Sequence, residues 1–212
     1  MTTEMAGDVA RFLTSENARL KAENRELRDL VSMLREFVMT LLDIAAITDR
    51  FGAADDLLGL LNTILYNTLA MLRATDGSIM LLDEAANELV FAVAVGDVGR
   101  ALVGYRIPVS VGIAGWCVEH REACIVNDVR VDPRFSPLVD QTFTFSTESV
   151  LAAPLIGDGR VLGVFEALNK QTDEPFDEMD QALLELLGRF VGEALARIEA
   201  MPFPEAGDGA SA

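Results

Sequence analysis

The segment from residue 163 to residue 180, GVFEALNKQTDEPFDEMD, restricts the fold more than any other part of the chain. An apolar, strand-like run ends in Asn169 and Lys170, and a polar loop follows. Phe176 then precedes a long amphipathic helical pattern that has Asp180 in its first turn. The end of a strand and the start of the next helix can bring such a lysine and aspartate together. We therefore predict an ion pair between Lys170 and Asp180 that closes the intervening loop beside a pocket.

A purely local interpretation of the two acids in this segment stays open. Asp177 is a suitable helix N-cap, and an acid three residues later, at Asp180, interacts favourably with the helix dipole. The segment alone therefore leaves helix capping and a long-range ion pair as alternatives.

A leucine heptad runs from residue 8 to residue 48 without Pro or Gly. Leucine occupies each d position, and the a positions are Asn, Val or Ala. β-Branched residues at a with leucine at d favour a parallel dimer, and asparagine at a fixes the register. A buried helix of a larger core is the alternative. We predict a parallel coiled-coil homodimer whose seam consists of Leu13, Asn17, Leu20, Asn24, Leu27, Val31, Leu34, Val38 and Leu41.

The remaining patterns predict one globular domain and a tail. Residues 51–200 alternate helix, strands, helix, strands and helix, which indicates an α+β fold with an antiparallel sheet and flanking helices. Residues 127–147 are polar and are predicted to form a long loop, and Gly-Asp-Gly at 157–159 predicts a hairpin turn. The predicted organisation is a coiled-coil helix at 1–50, the globular domain, and a disordered tail at 201–212.

Several motifs of the globular region resemble those of GAF domains, the small-molecule-sensing modules of cyclic-nucleotide phosphodiesterases, adenylyl cyclases and many bacterial regulators. The Asn-Lys…Phe…Asp set at 169–180 resembles the family signature, although Gln181 stands where the family has Glu. Residues 127–155 resemble its Asn-Asp, Asp-Pro-Arg-Phe and Phe-x-Thr-x-Ser motifs, and 112–116 resemble its Gly-x-x-Gly-Trp turn. The resemblance covers roughly residues 55–198 and implies a GAF-type sheet. The family's Thr-Gly is replaced by Phe143-Thr144, which is expected to alter the cover of the pocket.

The resemblance also implies a ligand between the sheet and the 127–147 region. A purine requires an apolar wall and a few fixed polar groups. Each candidate also has a structural alternative, because phenylalanines commonly fill cores and short polar residues commonly form turns. A cyclic nucleotide, another small molecule and no ligand at all stay open, and no cofactor is certain. The candidate ligand-binding residues are Asn127, Asp128, Phe135, Phe143, Phe145, Thr147 and Ser149.

Residues for catalysis or metal binding are sparse. His120 is the only histidine, and Cys117 and Cys124 lack the paired short spacings of a zinc site. No nucleophile–base pair is evident. Glu166, within an apolar strand, can face either the pocket or solvent on an outer sheet surface, and we favour the solvent-facing position. We predict that the protein is not an enzyme and holds no metal.

Charge and cysteine content restrict the partners. The net charge of −17 disfavours nucleic acid and anionic membranes, because phosphate binding requires a cationic surface. The two cysteines form no disulfide framework, which suits a reducing cytoplasm. We expect a cytoplasmic regulator in which ligand binding repositions the flanking helices and so signals to a downstream protein. An adaptor module with a vestigial pocket is the alternative.

Overall fold

The protein divides into two compact units, Met1–Met39 and Thr40–Ala212. In the first unit, residues 11–25 form a helix, α1. The strands and the other helices that the structure describes belong to the second unit. The computed structural model describes residues 11–25, 27–28, 31–32, 35, 38–39, 54–172 and 174–200.

Six strands form one sheet in which every pairing is antiparallel. The strands are β1 (Ala74–Asp83), β2 (Glu88–Val95), β3 (Arg106–Pro108), β4 (Cys124–Val126), β5 (Val150–Gly157) and β6 (Arg160–Lys170). Their order across the sheet is β3-β2-β1-β6-β5-β4, so the first and last long strands of the chain, β1 and β6, are neighbours at its centre.

Five further helices cover this sheet. They are α2 (Ala54–Leu72), α3 (Gly99–Leu102), α4 (Gly112–His120), α5 (Leu138–Phe143) and α6 (Glu178–Glu199). The predicted α+β class, with an antiparallel sheet and flanking helices, is confirmed. The prediction of one long loop at 127–147 is wrong in part, because α5 lies within it. Helices as short as α3 and α5 leave no periodic pattern that distinguishes them from polar loops.

The two faces of the sheet carry different helices. Successive residues of a strand point to opposite faces. Gly77 of β1 lies against Leu65 and Leu69 of α2, and Gly188 of α6 lies against Ala153 of β5. We call this side of the sheet the packed face. The residues next to them in the strands point to the opposite side, the cavity face, which α3, α4 and the 127–147 segment cover.

On the packed face, the backbone of α6 lies directly against the backbone of β5. A Cβ on Gly192 of α6 would lie 2.4 Å from the Ile156 carbonyl group of β5, and one on Gly157 would lie 2.0 Å from the Gly192 oxygen. No side chain fits between these segments, so glycine is what lets α6 approach the sheet so closely. The predicted hairpin turn follows immediately, with Asp158 at φ 48° and Gly159 at φ 69°. Two consecutive positive φ values characterise a type I′ turn.

The apolar seam positions that the structure describes are exposed within the single chain. Leu13, Leu20, Leu27 and Val31 each leave about half or more of their surface open. Seam positions Leu34 and Leu41, residues 40–53 and the predicted tail at 201–212 lie outside the described residues. Among the helices that are described, none is long and apolar enough to cross a membrane.

Candidate ligand site

A cavity of about 90 Å³ lies on the cavity face, between the sheet, α3, the start of α4 and the 127–147 segment. Its walls are mainly apolar. Its polar groups come from the centre of the sheet and from residues 127–147, which we call the covering segment. No lysine, arginine or histidine occurs among the described residues that line it. The lining includes Asp76, Ser78, Phe91, Leu102, Gly112, Ile113, Ala114, Phe135, Val139, Asp140, Phe145, Thr147, Val150, Glu166 and Leu168.

Glu166 of β6 forms part of the cavity floor, so the expectation that it faces solvent on an outer sheet surface is wrong. Helices and loops cover both faces of the sheet, and an acid in a central strand therefore has no solvent-facing side. Burial raises the pKa of Glu166 to about 7, and the nearby Ser78 hydroxyl offsets part of that effect. A carboxyl group with this pKa changes charge near neutral pH.

Ser78 of β1 lies directly opposite Glu166 in the sheet. Its side chain is 2% exposed, and its Oγ has no hydrogen bond of ordinary geometry to a described residue, although the hydroxyl lies near enough to Glu166 to lower the pKa of that carboxyl. Asp76, on the same strand, already has hydrogen-bond partners: its carboxylate accepts hydrogen bonds from the Thr75 hydroxyl and the Asp97 amide. Ser78 and Glu166 thus leave hydrogen-bonding capacity at the floor of the cavity.

Three of the predicted ligand candidates line the cavity: Phe135, Phe145 and Thr147. The phenylalanines supply part of the apolar wall. Thr147 is held by Asp140, whose carboxylate accepts a hydrogen bond from the Thr147 amide at 2.9 Å and another from its hydroxyl at 2.7 Å. Asp140 therefore connects α5 to the residues that lead into β5.

The other four candidates do not line the cavity. Asn127 makes two hydrogen bonds of 3.0 Å with the backbone of Phe176, and Asp128 forms a surface ion pair with Arg130 at 2.7 Å. The Ser149 hydroxyl accepts a hydrogen bond from the Lys170 amide. Phe143 packs edge-on against Tyr105, with ring centroids 5.0 Å apart.

A stack of side chains anchors the covering segment to α4. Asp132 binds the guanidinium group of Arg134 through two hydrogen bonds of 2.9 and 2.7 Å, and this contact lowers the pKa of the Asp132 carboxyl. Arg134 lies 4.6 Å from the centroid of the Trp116 ring, which in turn stacks on His120. His120 is exposed.

Asn169 connects β6 to the end of the covering segment. It has a φ of 55°, and its side chain accepts a hydrogen bond from the Glu148 amide and donates one to the Ser146 carbonyl. Asparagine tolerates this left-handed conformation better than most residues. The contacts fix the point at which the covering segment returns to the sheet.

Lys170 and Asp180 form an ion pair whose side chains are 12% and 16% exposed. Asp180 also takes part in a capping box with Asp177, so ion pairing and helix capping occur in the same structure. The Lys170 ammonium lies 5.4 Å from the ring centroid of Phe176, which is buried. The contacts of Asn127, Lys170 and Phe176 thus hold the start of α6 against the ends of β4 and β6, near the covering segment.

Sequence reasoning did not include Ser78 and Glu166 among the site residues. Glu166 is the one polar side chain between Val161 and Leu168 of β6, which was the available signal, whereas Ser78 lies in a strand that also contains Thr75, Asp76 and Asp83 and gave no such signal. Within the described part of the chain, no three His, Cys, Asp or Glu side chains come together as a metal site.

Comparison with known proteins agrees with this architecture. Residues 56–195 match the family model described as GAF domain. The structure superimposes on the GAF domain of a phosphoenolpyruvate-protein phosphotransferase from Coxiella burnetii with a TM-score of 0.66 and 19% identity, covering 78% of this chain and 96% of the other. A free methionine-R-sulfoxide reductase from Neisseria meningitidis gives a TM-score of 0.61 at 22% identity, covering 77% and 90%. At these identities the likeness shows the fold alone.

Sequence relatives come from longer proteins. One stretch of 96 residues is 33% identical to a dual 3′,5′-cyclic-AMP and -GMP phosphodiesterase 11A of Takifugu rubripes and covers 44% of this chain and 11% of that protein. Another of 88 residues is 32% identical to a cone cGMP-specific 3′,5′-cyclic phosphodiesterase subunit alpha′ of Mus musculus and covers 42% and 10%. The chain thus matches about a tenth of these relatives' length. Since the family model spans most of the chain and the fold agrees, the protein belongs to the GAF domain family, whose members are small-molecule-binding signalling modules present in phosphodiesterases.

Proposed function

We propose that this chain is a regulatory, non-catalytic GAF module that senses a small ligand, with a cyclic nucleotide as the leading candidate. The observation that carries the proposal is a pair of polar side chains at the floor of an otherwise mainly apolar cavity: the buried Ser78 hydroxyl, which has no hydrogen bond of ordinary geometry, and the Glu166 carboxyl beside it. A buried polar group without a partner is costly, and a ligand that supplies one regains that free energy. The site therefore favours a ligand with several hydrogen-bonding groups on one edge, as a purine base has.

The start of α4 offers a second, different binding environment. The N-cap residue of α4, Val111, provides no side-chain cap for the first turn, and Gly112 and Ala114 line the cavity. Free amides at a helix N-terminus attract anions such as phosphate. With no cationic side chain among the described lining residues, an anionic group is best accommodated at this end. A cyclic nucleotide carries both a base edge and one phosphate, and relatives named as cyclic-nucleotide phosphodiesterases support this choice.

The size of the cavity requires a change of structure on binding. Its volume of about 90 Å³ is well below the ~300 Å³ at which ordinary ligand pockets begin. A nucleotide therefore enters only when the 127–147 segment moves away from the sheet. The contacts that this movement would disturb are those of Asp140 with Thr147 and of Arg134 with Trp116.

Signalling from the site requires the helices that flank the domain. We propose that the chain forms a parallel homodimer through its heptad seam and relays ligand binding to a downstream protein, in the cytoplasm. In support, Leu20 and Leu27 are exposed in the single chain, as unpartnered seam residues would be. Replacing both leucines with lysine is expected to give a monomer in analytical ultracentrifugation, and a persistent dimer would contradict the coiled-coil assembly.

The small volume of the cavity also supports a second candidate function. A dimerisation adaptor needs no ligand, and its pocket can shrink without loss of function. The two candidates differ in one measurable property, namely whether any small molecule stabilises the folded protein.

A thermal-shift screen tests the proposal directly. The purified protein is heated with cyclic AMP, cyclic GMP, cyclic dinucleotides, or common amino and keto acids. A ligand at a hundred times its dissociation constant adds about 2.7 kcal/mol, which raises the melting temperature of a protein this size by roughly 5–10 °C. We expect such a rise with one cyclic nucleotide.

Variants separate binding from stability. Ser78→Ala and Glu166→Gln remove groups at the cavity floor and are expected to abolish the rise, whereas Glu119→Gln on the exposed side of α4 keeps it. A screen without any rise would favour the adaptor and direct the search to protein partners.

A further inference from the structure

The two cysteines of the chain lie in contact although they belong to different elements. Cys117 is on α4 and Cys124 is on β4, and their sulfur atoms are 3.6 Å apart. Cys117 is 0% and Cys124 is 7% exposed. The chain has only these two cysteines, so any disulfide within one chain joins them.

We propose that Cys117 and Cys124 form a redox site that a hydroperoxide oxidises reversibly to an intramolecular disulfide, which ties α4 to β4 and thereby acts on the wall of the ligand cavity. A disulfide bond is about 2.05 Å long, so the sulfur atoms must approach by roughly 1.5 Å. Three residues, 121–123, connect the end of α4 to β4, and Arg121 among them has a φ of 60°.

The surroundings favour oxidation at Cys124. The hydrogen bond from the Cys117 thiol lowers the pKa of Cys124, burial opposes this, and the Arg134 guanidinium lowers it further. The hydrogen bond to Cys124 and burial raise the pKa of Cys117, which therefore remains the thiol that donates. A thiolate is the nucleophile in such reactions, and nearby cations stabilise it. Cys124 is also the one of the two that has a share of exposed surface.

The chemistry balances with one hydroperoxide for each disulfide. The Cys124 thiolate attacks one oxygen of hydrogen peroxide, the O–O bond breaks, and the sulfur becomes a sulfenic acid while the other oxygen leaves as water after taking up a proton. The Cys117 sulfur then attacks the Cys124 sulfur, loses its proton, and displaces the second oxygen as water. Two electrons pass from the two sulfurs to the peroxide. A dithiol reductant reverses the process.

The site is linked to the cavity by two structural elements. Cys124 lies opposite Ala152 in the sheet, and Ala152 lies opposite Glu166, so the three residues form one row on the cavity face. Along α4, Cys117 follows Ile113 and Ala114, which line the cavity. Fixing α4 to β4 therefore restrains the helix whose first turn forms part of the ligand site.

The test treats the folded protein with hydrogen peroxide and follows both the thiols and the cavity wall. We expect loss of both titratable thiols, a mass decrease of two hydrogen atoms without chain dimerisation, and recovery with dithiothreitol. Hydrogen–deuterium exchange of the amides at 113–118 is expected to slow in the oxidised protein. Cys124→Ser and Cys117→Ser should show neither the mass decrease nor the slower exchange.

Other outcomes would overturn the proposal. A disulfide that forms only after unfolding, a link between two chains, or oxidation to separate sulfinic acids would show that the folded site does not close. If the disulfide formed without any change in hydrogen–deuterium exchange at 113–118, the proposed effect of the disulfide on the cavity wall would be refuted. None of these readouts requires a ligand, so they are independent of the proposed sensing function.

Discussion

On the packed face of the sheet, α6 approaches β5 until the backbones touch, whereas on the cavity face the 127–147 segment leaves a space above the Glu166 carboxyl and the buried Ser78 hydroxyl. Both faces belong to the same strands and alternate residue by residue. On the packed face, Gly192 and Gly157 let the two backbones meet without an intervening side chain. The cavity face retains Ser78 and Glu166, which a core built only for stability would replace with apolar residues. The difference indicates that one face supports the fold and the other provides the site.

The largest expected effect comes from disturbing the packed face. Gly192→Ala places a methyl group about 2.4 Å from Ile156 and forces α6 away from β5. We expect a loss of about 3 kcal/mol in the free energy of unfolding, the upper part of the usual range for overpacking. Guanidinium denaturation measures it. Gly59→Ala is the matched control, because nothing lies within 4 Å of its Cβ position in α2, and it should be neutral or slightly stabilising. Equal effects in the two variants would refute the close-packing argument.

The second prediction concerns the charge at the cavity floor. The pKa of Glu166 is about 7 in the folded protein against an ordinary 4.5, so folding favours the protonated form. Its contribution to stability is complete below pH 4.5 and is lost as the pH rises through 7. Glu166→Gln should therefore match the wild type near pH 4.5 and exceed it by roughly 3 kcal/mol at pH 8.

Denaturation curves at several pH values measure that difference. Glu119→Gln, at an exposed position of α4, serves as the control, and its difference from the wild type should not grow between pH 4.5 and 8. A Glu166→Gln curve parallel to that of the wild type would mean that the carboxyl is not buried as described.

The third prediction tests the ion pair beside the cover. Lys170→Met leaves the Asp180 carboxylate without its cation and is expected to cost roughly 2 kcal/mol, as for hydrogen bonds to charged groups. Arg130→Met removes the cation of an ion pair whose side chains are 82% and 40% exposed, and should leave the melting temperature unchanged. If the two variants behaved alike in a thermal melt, the Lys170–Asp180 pair would have no structural importance.

The smallest expected effect lies at the end of α5. Thr144 has a φ of 54°, a left-handed conformation that β-branched residues rarely adopt. Thr144→Gly should stabilise the protein by about 1 kcal/mol. Thr142→Gly, within the same short helix, should destabilise it, since glycine disfavours helix interiors. Calorimetry distinguishes the two, and a destabilised Thr144→Gly variant would argue against strain in the cover of the cavity.

Much of the fold could be predicted because its signals are local. The amphipathic helices, the Asp-Gly turn and the order of apolar runs each depend on neighbouring residues. The site was predicted less well. Asn127 binds the Phe176 backbone, 49 residues away, and Phe143 packs on Tyr105 rather than on the cavity. Contacts between distant residues of this kind leave no pattern in the sequence near either partner.

The sequence by itself determined the α+β class, the order of the long helices and strands, and the family to which the chain belongs. Only the tertiary structure decided which side of each strand faces the cavity. β6 is almost continuously apolar, since helices cover both of its faces, so the alternation that identifies a buried side is missing from its sequence. The pairing of Glu166 with Ser78 on one side and Ala152 on the other fixes the face of that carboxyl. A shift of one residue in register would have turned the same acid toward the packed face.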